Sequence, residues 1–256
     1  MGRSRLGNDF KHVLITGASS GIGEALALLY AAPGVTLSLS GRDGGRLEAV
    51  AMAARAQGAE VAAEVIDVTV REAMAAWTRA RDTVRPLDLV IANAGVSGGL
   101  GESVEVTQRI FAVNVDGVLN TVLPALELMR PRRRGQIAIN SSLASFRGVG
   151  GAPAYGATKA AVRVWGEGLR GALAGENIGV SVICPGFVVS RMTAGNKFPM
   201  PFLMDTDKAA AIIKRGIAAN KGRIAFPGPM MFGVWLLAAL PDAVADWITR
   251  RLPAKE

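Results

Sequence analysis

Thr16-Gly17-Ala18-Ser19-Ser20-Gly21-Ile22-Gly23 decides the reading of this chain because of what flanks it. Before it, residues 12–16 form a β-branched and aliphatic run. After it, Glu24-Ala25-Leu26-Ala27-Leu28-Leu29-Tyr30 carries helical spacing. Glycines between a strand and a helix let the backbone approach a pyrophosphate closely, whose charge then meets free N–H groups and the positive end of the helix dipole. A glycine triplet alone is a weak signal. This one opens a helix inside a strand–turn–helix unit, which makes Gly17, Ser19, Ser20, Gly21, Ile22 and Gly23 candidate dinucleotide contacts.

Working outward, the same alternation continues. Apolar runs at 12–16, 35–39, 60–66, 87–92, 136–140 and 180–183 alternate with helical patterns at 22–31, 46–57, 71–84, 104–129 and 154–173. Leu89-Val90-Ile91 and Val180-Ser181-Val182-Ile183 are apolar almost without interruption, which fits strands buried on both faces of a parallel sheet. The expected fold class is therefore α/β, a doubly wound Rossmann-type sheet of about seven parallel strands with helices on both faces and an extra helical C-terminal segment. One domain over 1–256 is expected, with a flexible N-terminus at 1–10 and an apolar helical extension at 227–256. Between Ser190 and Thr206, glycine and proline breakers interrupt Met192, Phe198, Met200, Phe202, Leu203 and Met204, and this segment reads as an irregular apolar loop, a candidate substrate lid.

Composition narrows the function classes. Half the residues are apolar and a fifth are charged, a balance that builds a core and excludes disordered, collagen-like and disulfide-stapled chains. The single Cys184 and single His12 cannot form a Cys/His metal cluster, and no metal site is expected. Lys plus Arg number 29 against 21 Asp plus Glu, giving +8. The basic residues are spread along the chain, and their densest group, Arg130 with Arg132, Arg133 and Arg134, suits a helix C-terminus, so nucleic acid is not an expected partner. The N-terminal MGRSRLGNDFKHV lacks the apolar stretch of a secretory signal, and Leu6 stands where a myristoylation motif needs Ser or Thr; cytoplasmic localisation is the expectation.

The Gly-x-x-x-Gly-x-Gly spacing of TGASSGIG departs from the commoner dinucleotide turn and resembles the short-chain dehydrogenase/reductase family. The resemblance covers residues 10 to 226, and the later motifs follow in the family's order. It implies a homodimer or homotetramer, with the helical stretches at 104–129 and 154–173 packed on their mates. Gly166, Gly168 and Gly171 in the second stretch would permit close approach.

Three further groups look like the family's cofactor contacts: Asp67-Val68, Asn93-Ala94-Gly95, and Pro185-Gly186 continuing to Val188 and Ser190. Where an acid would hold the adenosine ribose diol, the second strand ends in Ser40-Gly41-Arg42. A small residue followed by a planar cation makes room for a 2′-phosphate and binds it, so NADP(H) is the expected cofactor with NAD(H) as the alternative.

Tyr155 and Lys159 are four apart in a helical pattern that opens at Pro153, so both lie on one face. A nearby ammonium favours the phenolate, and Lys159 is expected to bring Tyr155 toward working pH. Ser142 closes the fifth strand run at the carboxyl edge, where such sheets bind ligands, and precedes Tyr155 by the family's spacing. Asn114 matches the family's fourth catalytic position, and a water-linked proton path to Lys159 would satisfy its buried amide. Cys184 reads as a small buried hydrophobe and His12 as structural. The implied activity is hydride transfer between a nicotinamide and a carbonyl or secondary alcohol, with Tyr155 as general acid/base and also a cofactor contact together with Lys159.

The segment at 224–240 carries no charge but falls short of a transmembrane span. Pocket cover, subunit contact and peripheral membrane contact are its alternatives. Of the rival functions, a catalytically silent nucleotide-binding regulator or scaffold on the same fold stands second. Sugar-nucleotide epimerisation needs a larger carboxyl domain than this chain has room for.

Overall fold

The computed structural model describes residues 10–98, 102–196 and 198–249. Seven parallel strands form one sheet in the order β3-β2-β1-β4-β5-β6-β7: β1 (His12–Thr16), β2 (Thr36–Gly41), β3 (Glu60–Val65), β4 (Leu89–Ala92), β5 (Gly135–Asn140), β6 (Ile178–Pro185) and β7 (Arg223–Phe226). The register is set from β1, where Leu14 sits opposite Ser38 of β2 and Val90 of β4. Every residue of β1, β2, β4 and β6 is buried, as a sheet covered on both faces requires.

The two faces are legible in alternate side chains. Val13 and Ile15 join the core under α1 (Gly21–Tyr30), α2 (Gly44–Ala56) and α8 (Thr206–Ala218), while Leu14 joins the opposite core under α3 (Arg71–Val84), α5 (Gly117–Arg132) and α6 (Pro153–Ala172). Truncating one such side chain, Leu14→Ala, would cost about 2–5 kcal/mol through lost burial and the cavity left behind. Phe10, at the edge of the expected flexible N-terminus, packs edge-on against Tyr30; residues 1–9 and residues 250–256 of the C-terminal extension lie outside the described residues.

The expected uninterrupted helix at 104–129 is instead α4 (Val104–Phe111), a π-helical turn Ala112–Asp116, and α5. The wide turn directs both Val113 and Asn114 inward, and it is the Asn114 amide that holds it there (below). The whole stretch Val104–Arg132 is long and apolar enough to cross a membrane by length and composition, but Val118, Val122, Leu126 and Met129 are buried in the core beneath the sheet. Gly166 is not free to meet a mate: a Cβ there would stand 2.7 Å from Val182 and 3.1 Å from Ile139, so this glycine lets α6 lie on the sheet. Gly168 and Gly171 do face open space.

The arginine cluster ends α5 as expected, with Arg133 turning left-handed at φ 50°. Arg130 pairs with Glu176, Arg132 with Asp82 and Arg134 with Asp88, which ties the cluster to acidic partners of this chain. The segment at 190–206 is not wholly irregular: Ser190 caps a short α7 (Arg191–Ala194), and Val188 bridges Met204. Beyond β7 come α9 (Gly228–Ala239) and α10 (Asp242–Thr249).

Candidate active site

Strand order reverses at β1, whose neighbours β2 and β4 connect away in opposite directions, and the crevice this opens at the carboxyl edge is where such sheets bind ligands. A continuous cleft of about 1510 Å³ occupies it, larger than a single small-molecule pocket of roughly 300–1,000 Å³. Every site residue expected from the sequence lines this cleft except Gly23 and Asn114, which stand behind its wall.

Gly17 and Gly23 make the turn. Gly17 has φ 66° and approaches Ala94 so closely that a Cβ would stand 2.8 Å from its Cα; a Cβ on Gly23 would collide with the Gly17 carbonyl. The Asn93 amide locks the turn by donating to the carbonyls of Thr16 (3.1 Å) and Gly17 (3.2 Å). Asn140, absent from the sequence-based site, extends this lock. Its Nδ2 donates to Asn93 Oδ1 at 2.9 Å, and its backbone carbonyl accepts from Lys159 Nζ at 2.8 Å. One chain of hydrogen bonds thus runs from the glycine turn to Lys159.

Lys159 is held further by Ser141, whose hydroxyl donates to the Lys159 carbonyl at 2.7 Å, and its Nζ lies 5.8 Å from the Tyr155 ring centre. Ser142 Oγ accepts from Ala144 N–H at 3.1 Å and lies 3.5 Å from the Pro185 carbonyl. Burial pulls the Lys159 ammonium down to about 8. The expected lowering of Tyr155 by Lys159 is not what this geometry gives: burial is the larger effect and pushes the phenol up, opposed by a hydrogen bond to Ser142.

Asn114 finds direct partners in the protein. Its Oδ1 accepts from Val96 N–H (2.8 Å), and its Nδ2 donates to Val96 O (2.9 Å) and Thr158 Oγ1 (3.1 Å). It thereby clamps the segment after β4 to the helix bearing Tyr155. Gly95 lies between the two site groups, a Cβ there standing 3.3 Å from both Asn114 Oδ1 and Lys159 Nζ.

Glu102 is a second residue the sequence reading missed. Its carboxylate accepts from Ala154 N–H at 2.6 Å and Tyr155 N–H at 3.3 Å, capping α6 from 52 residues away. No local pattern marks such a contact. Cys184 is buried, its thiol pushed up to about 11 by burial, and lies outside the chemistry.

A dinucleotide fits these residues. The N-terminus of α1 lines the cleft at Gly21 and Ile22, and Ser20 gives it no side-chain cap, so its first N–H groups suit a pyrophosphate. At the far end lie Arg42 and Arg46. Asp67 Oδ1 accepts from Thr69 N–H (2.9 Å) and Oγ1 (2.8 Å), which, with the charges of Arg42 and Arg109, holds its carboxyl below the usual range. Ser190 Oγ accepts from Thr193 N–H at 3.3 Å, a local capping role.

The chain belongs to the short chain dehydrogenase family, whose model matches residues 11–198, and it is an oxidoreductase of that family. Among its relatives, an uncharacterized oxidoreductase of Myxococcus xanthus is 39% identical over 248 residues, 95% of this chain and 98% of the relative. Ketoacyl reductase HetN of Nostoc is 30% identical, over 83% of this chain and 76% of its own length. Two solved structures share the fold at 23% identity: levodione reductase, with a TM-score of 0.79 over 87% of this chain and 98% of that one, and actinorhodin polyketide ketoreductase with NADPH, at 0.78 over 88% and 98%.

Proposed function

We propose that this oxidoreductase uses NADP(H) to interconvert a carbonyl and a secondary alcohol on a hydrophobic substrate. The observation that carries the reading is the convergence of Ser142, Tyr155 and Lys159 on one cleft, joined through Asn140 and Asn93 to the glycine turn. The α1 N-terminus with Ser19, Ser20 and Gly21 would hold the pyrophosphate, Arg42 the 2′-phosphate, Asp67 and Val68 the adenine end, and Asn93, Ala94, Gly95, Pro185, Gly186, Val188 and Ser190 the remainder. When bound, the cofactor supplies or accepts the hydride.

The rest is the work of side chains. Ser142 Oγ, fixed by the Ala144 N–H, holds the substrate oxygen by hydrogen bonding. Tyr155, kept protonated by burial, donates its proton to the oxygen as negative charge develops in the reductive direction. Lys159 keeps a positive charge beside the phenol and eases loss of that proton. The segment at 190–206, with Met192, Phe198 and Phe202 on the cleft, acts as the lid that excludes water. Phe111 and Leu123 on the α4–α5 stretch and Val164 on α6 are exposed, which supports association into a homodimer or homotetramer through those helices.

Thermal-shift titration of the cofactor-free protein with NADPH and NADH in parallel tests the reading, because a ligand that binds only the native state raises stability with concentration. Stabilisation at much lower NADPH than NADH concentration is expected, and Arg42→Ala should narrow the gap. Equal response to both overturns the role of Arg42, and no response to either removes the reductase reading.

A further inference from the structure

Helix α9 carries an apolar row of side chains. No residue of this helix is charged and none is buried, although a helix apolar on all sides ordinarily belongs in a core. Phe232 and Trp235 face outward, 62% and 53% exposed. The other face, Met230, Gly233, Val234 and Leu237 with Leu240 just beyond the helix, lines the cleft. Met230, Val234 and Leu237 are three or four residues apart and so share one helix face, with Gly233 beside them, and Pro229 and Leu236 flank that face on the cleft.

The row begins at the reaction centre. The Met230 sulfur lies 2.8 Å from where a Gly186 Cβ would stand, and the preceding Pro185 carbonyl is 3.5 Å from Ser142 Oγ. From Met230 to Leu240 is ten residues, or about 15 Å at the helical rise. Ile248 of α10 lines the same cleft. That helix is pinned to the segment following Ser142, since Arg147 donates to its Asp242 (2.9 Å) and Asp246 (2.8 Å).

We propose, resting on the carbonyl–alcohol reading above, that α9 selects substrates bearing an extended, unbranched aliphatic chain. The oxygen-bearing carbon sits at Ser142 and Tyr155, and the chain runs from Met230 to Leu240. At an extended length of roughly 1.2 Å per bond, the row accommodates about twelve bonds. The α9 side chains along this row are apolar throughout, so each methylene laid on them gains the same burial.

Reduction of 2-alkanones of increasing length with NADPH tests this. kcat/KM should climb about four-fold per methylene and level off near the length of the row. The Gly233→Phe variant supplies the control, because a Cβ at Gly233 meets nothing within 4 Å and the ring would enter the groove near its start. It should lower the ratio of long- to short-chain kcat/KM by at least ten-fold. Thermal stabilisation by 2-dodecanol, measured without turnover, should be present in the wild type and lost in this variant, while NADPH stabilisation reports that the variant is folded. A flat chain-length profile, or a long-chain preference untouched by Gly233→Phe, overturns the proposal while leaving the reductase reading in place. Failure of every ketone, short ones included, overturns the reductase reading and this proposal with it.

Discussion

The Glu102 carboxylate and the Tyr155 backbone N–H meet at 3.3 Å, and the same carboxylate takes the Ala154 N–H at 2.6 Å. The residue in the capping position of α6 is Ala152, which has no side-chain acceptor to offer, so a carboxylate from the segment before α4 satisfies the two N–H groups. It also places negative charge at the positive end of the helix that carries Tyr155 and Lys159. Loss of a cap costs about 1 kcal/mol, and in a protein of this size that lowers the melting temperature by roughly 2–4 °C. Glu102→Ala should show this loss by calorimetry and a several-fold drop in kcat at unchanged NADPH affinity. Glu102→Gln, which keeps one acceptor oxygen, should fall between. An unaltered melting temperature in the alanine variant would exclude the capping role.

Tyr155 is the proton donor in the proposed reaction, and its hydroxyl is the only part of it that reacts. Tyr155→Phe keeps the ring and its packing while removing the acid. Carbonyl reduction should fall by roughly 10²–10⁴-fold, the usual contribution of a positioned general acid. NADPH should still stabilise the variant in a thermal-shift assay, since the glycine turn and Arg42 are untouched. Turnover within a few-fold of wild type would mean that another group protonates the substrate.

The site was legible in the sequence where chemistry and spacing coincide. Tyr155 and Lys159, four apart, do share a helix face, and the glycine turn does sit between β1 and α1. What the sequence concealed is tertiary. Glu102 reaches 52 residues to its cap, and Asn140 looks like any strand end until Asn93 is seen 2.9 Å from it. The π-helical turn at Ala112–Asp116 escaped because apolar periodicity tolerates one extra residue; the cause lies in Val96 and Thr158, which bind Asn114 across the fold. Gly166 illustrates the converse. Small residues along this stretch suggest close approach to a mate, but the neighbours of Gly166 are Val182 and Ile139 of the sheet. β7 is four residues long, too short to announce itself by alternation.

Lys159 sets an alkaline limit. Burial pulls its ammonium from 10.5 to about 8, so the charge beside Tyr155 is present below that pH and lost above it. The Tyr155 phenol is pushed up and stays protonated over the same range. In the reductive direction kcat/KM, which follows groups of the free enzyme, should therefore fall as pH rises through about 8. A guanidinium remains charged there, so Lys159→Arg should be slower but show no break in that region. A wild-type profile flat through this range would show that the lysine charge is not required.

His12 supplies a stability linkage away from the site. It is fully buried at the start of β1, Nδ1 2.6 Å from the Arg85 carbonyl and Nε2 2.8 Å from Ser38 Oγ. Burial lowers its pKa below the ordinary 6.5, an effect that Arg85 reinforces through its charge and that the Arg85 carbonyl, Asp82 and Asp88 oppose. The sign follows from which state binds the proton first. As pH falls through 6.5 the unfolded chain protonates while folded His12 stays neutral, so the folded state loses stability. The loss continues until the folded imidazole itself titrates, and it levels off below that point. Urea unfolding between about pH 5 and pH 7.5 should therefore give stability that rises with pH, and His12→Gln, which has nothing to titrate, should give a smaller slope. Equal slopes in the two proteins would assign the linkage to other groups.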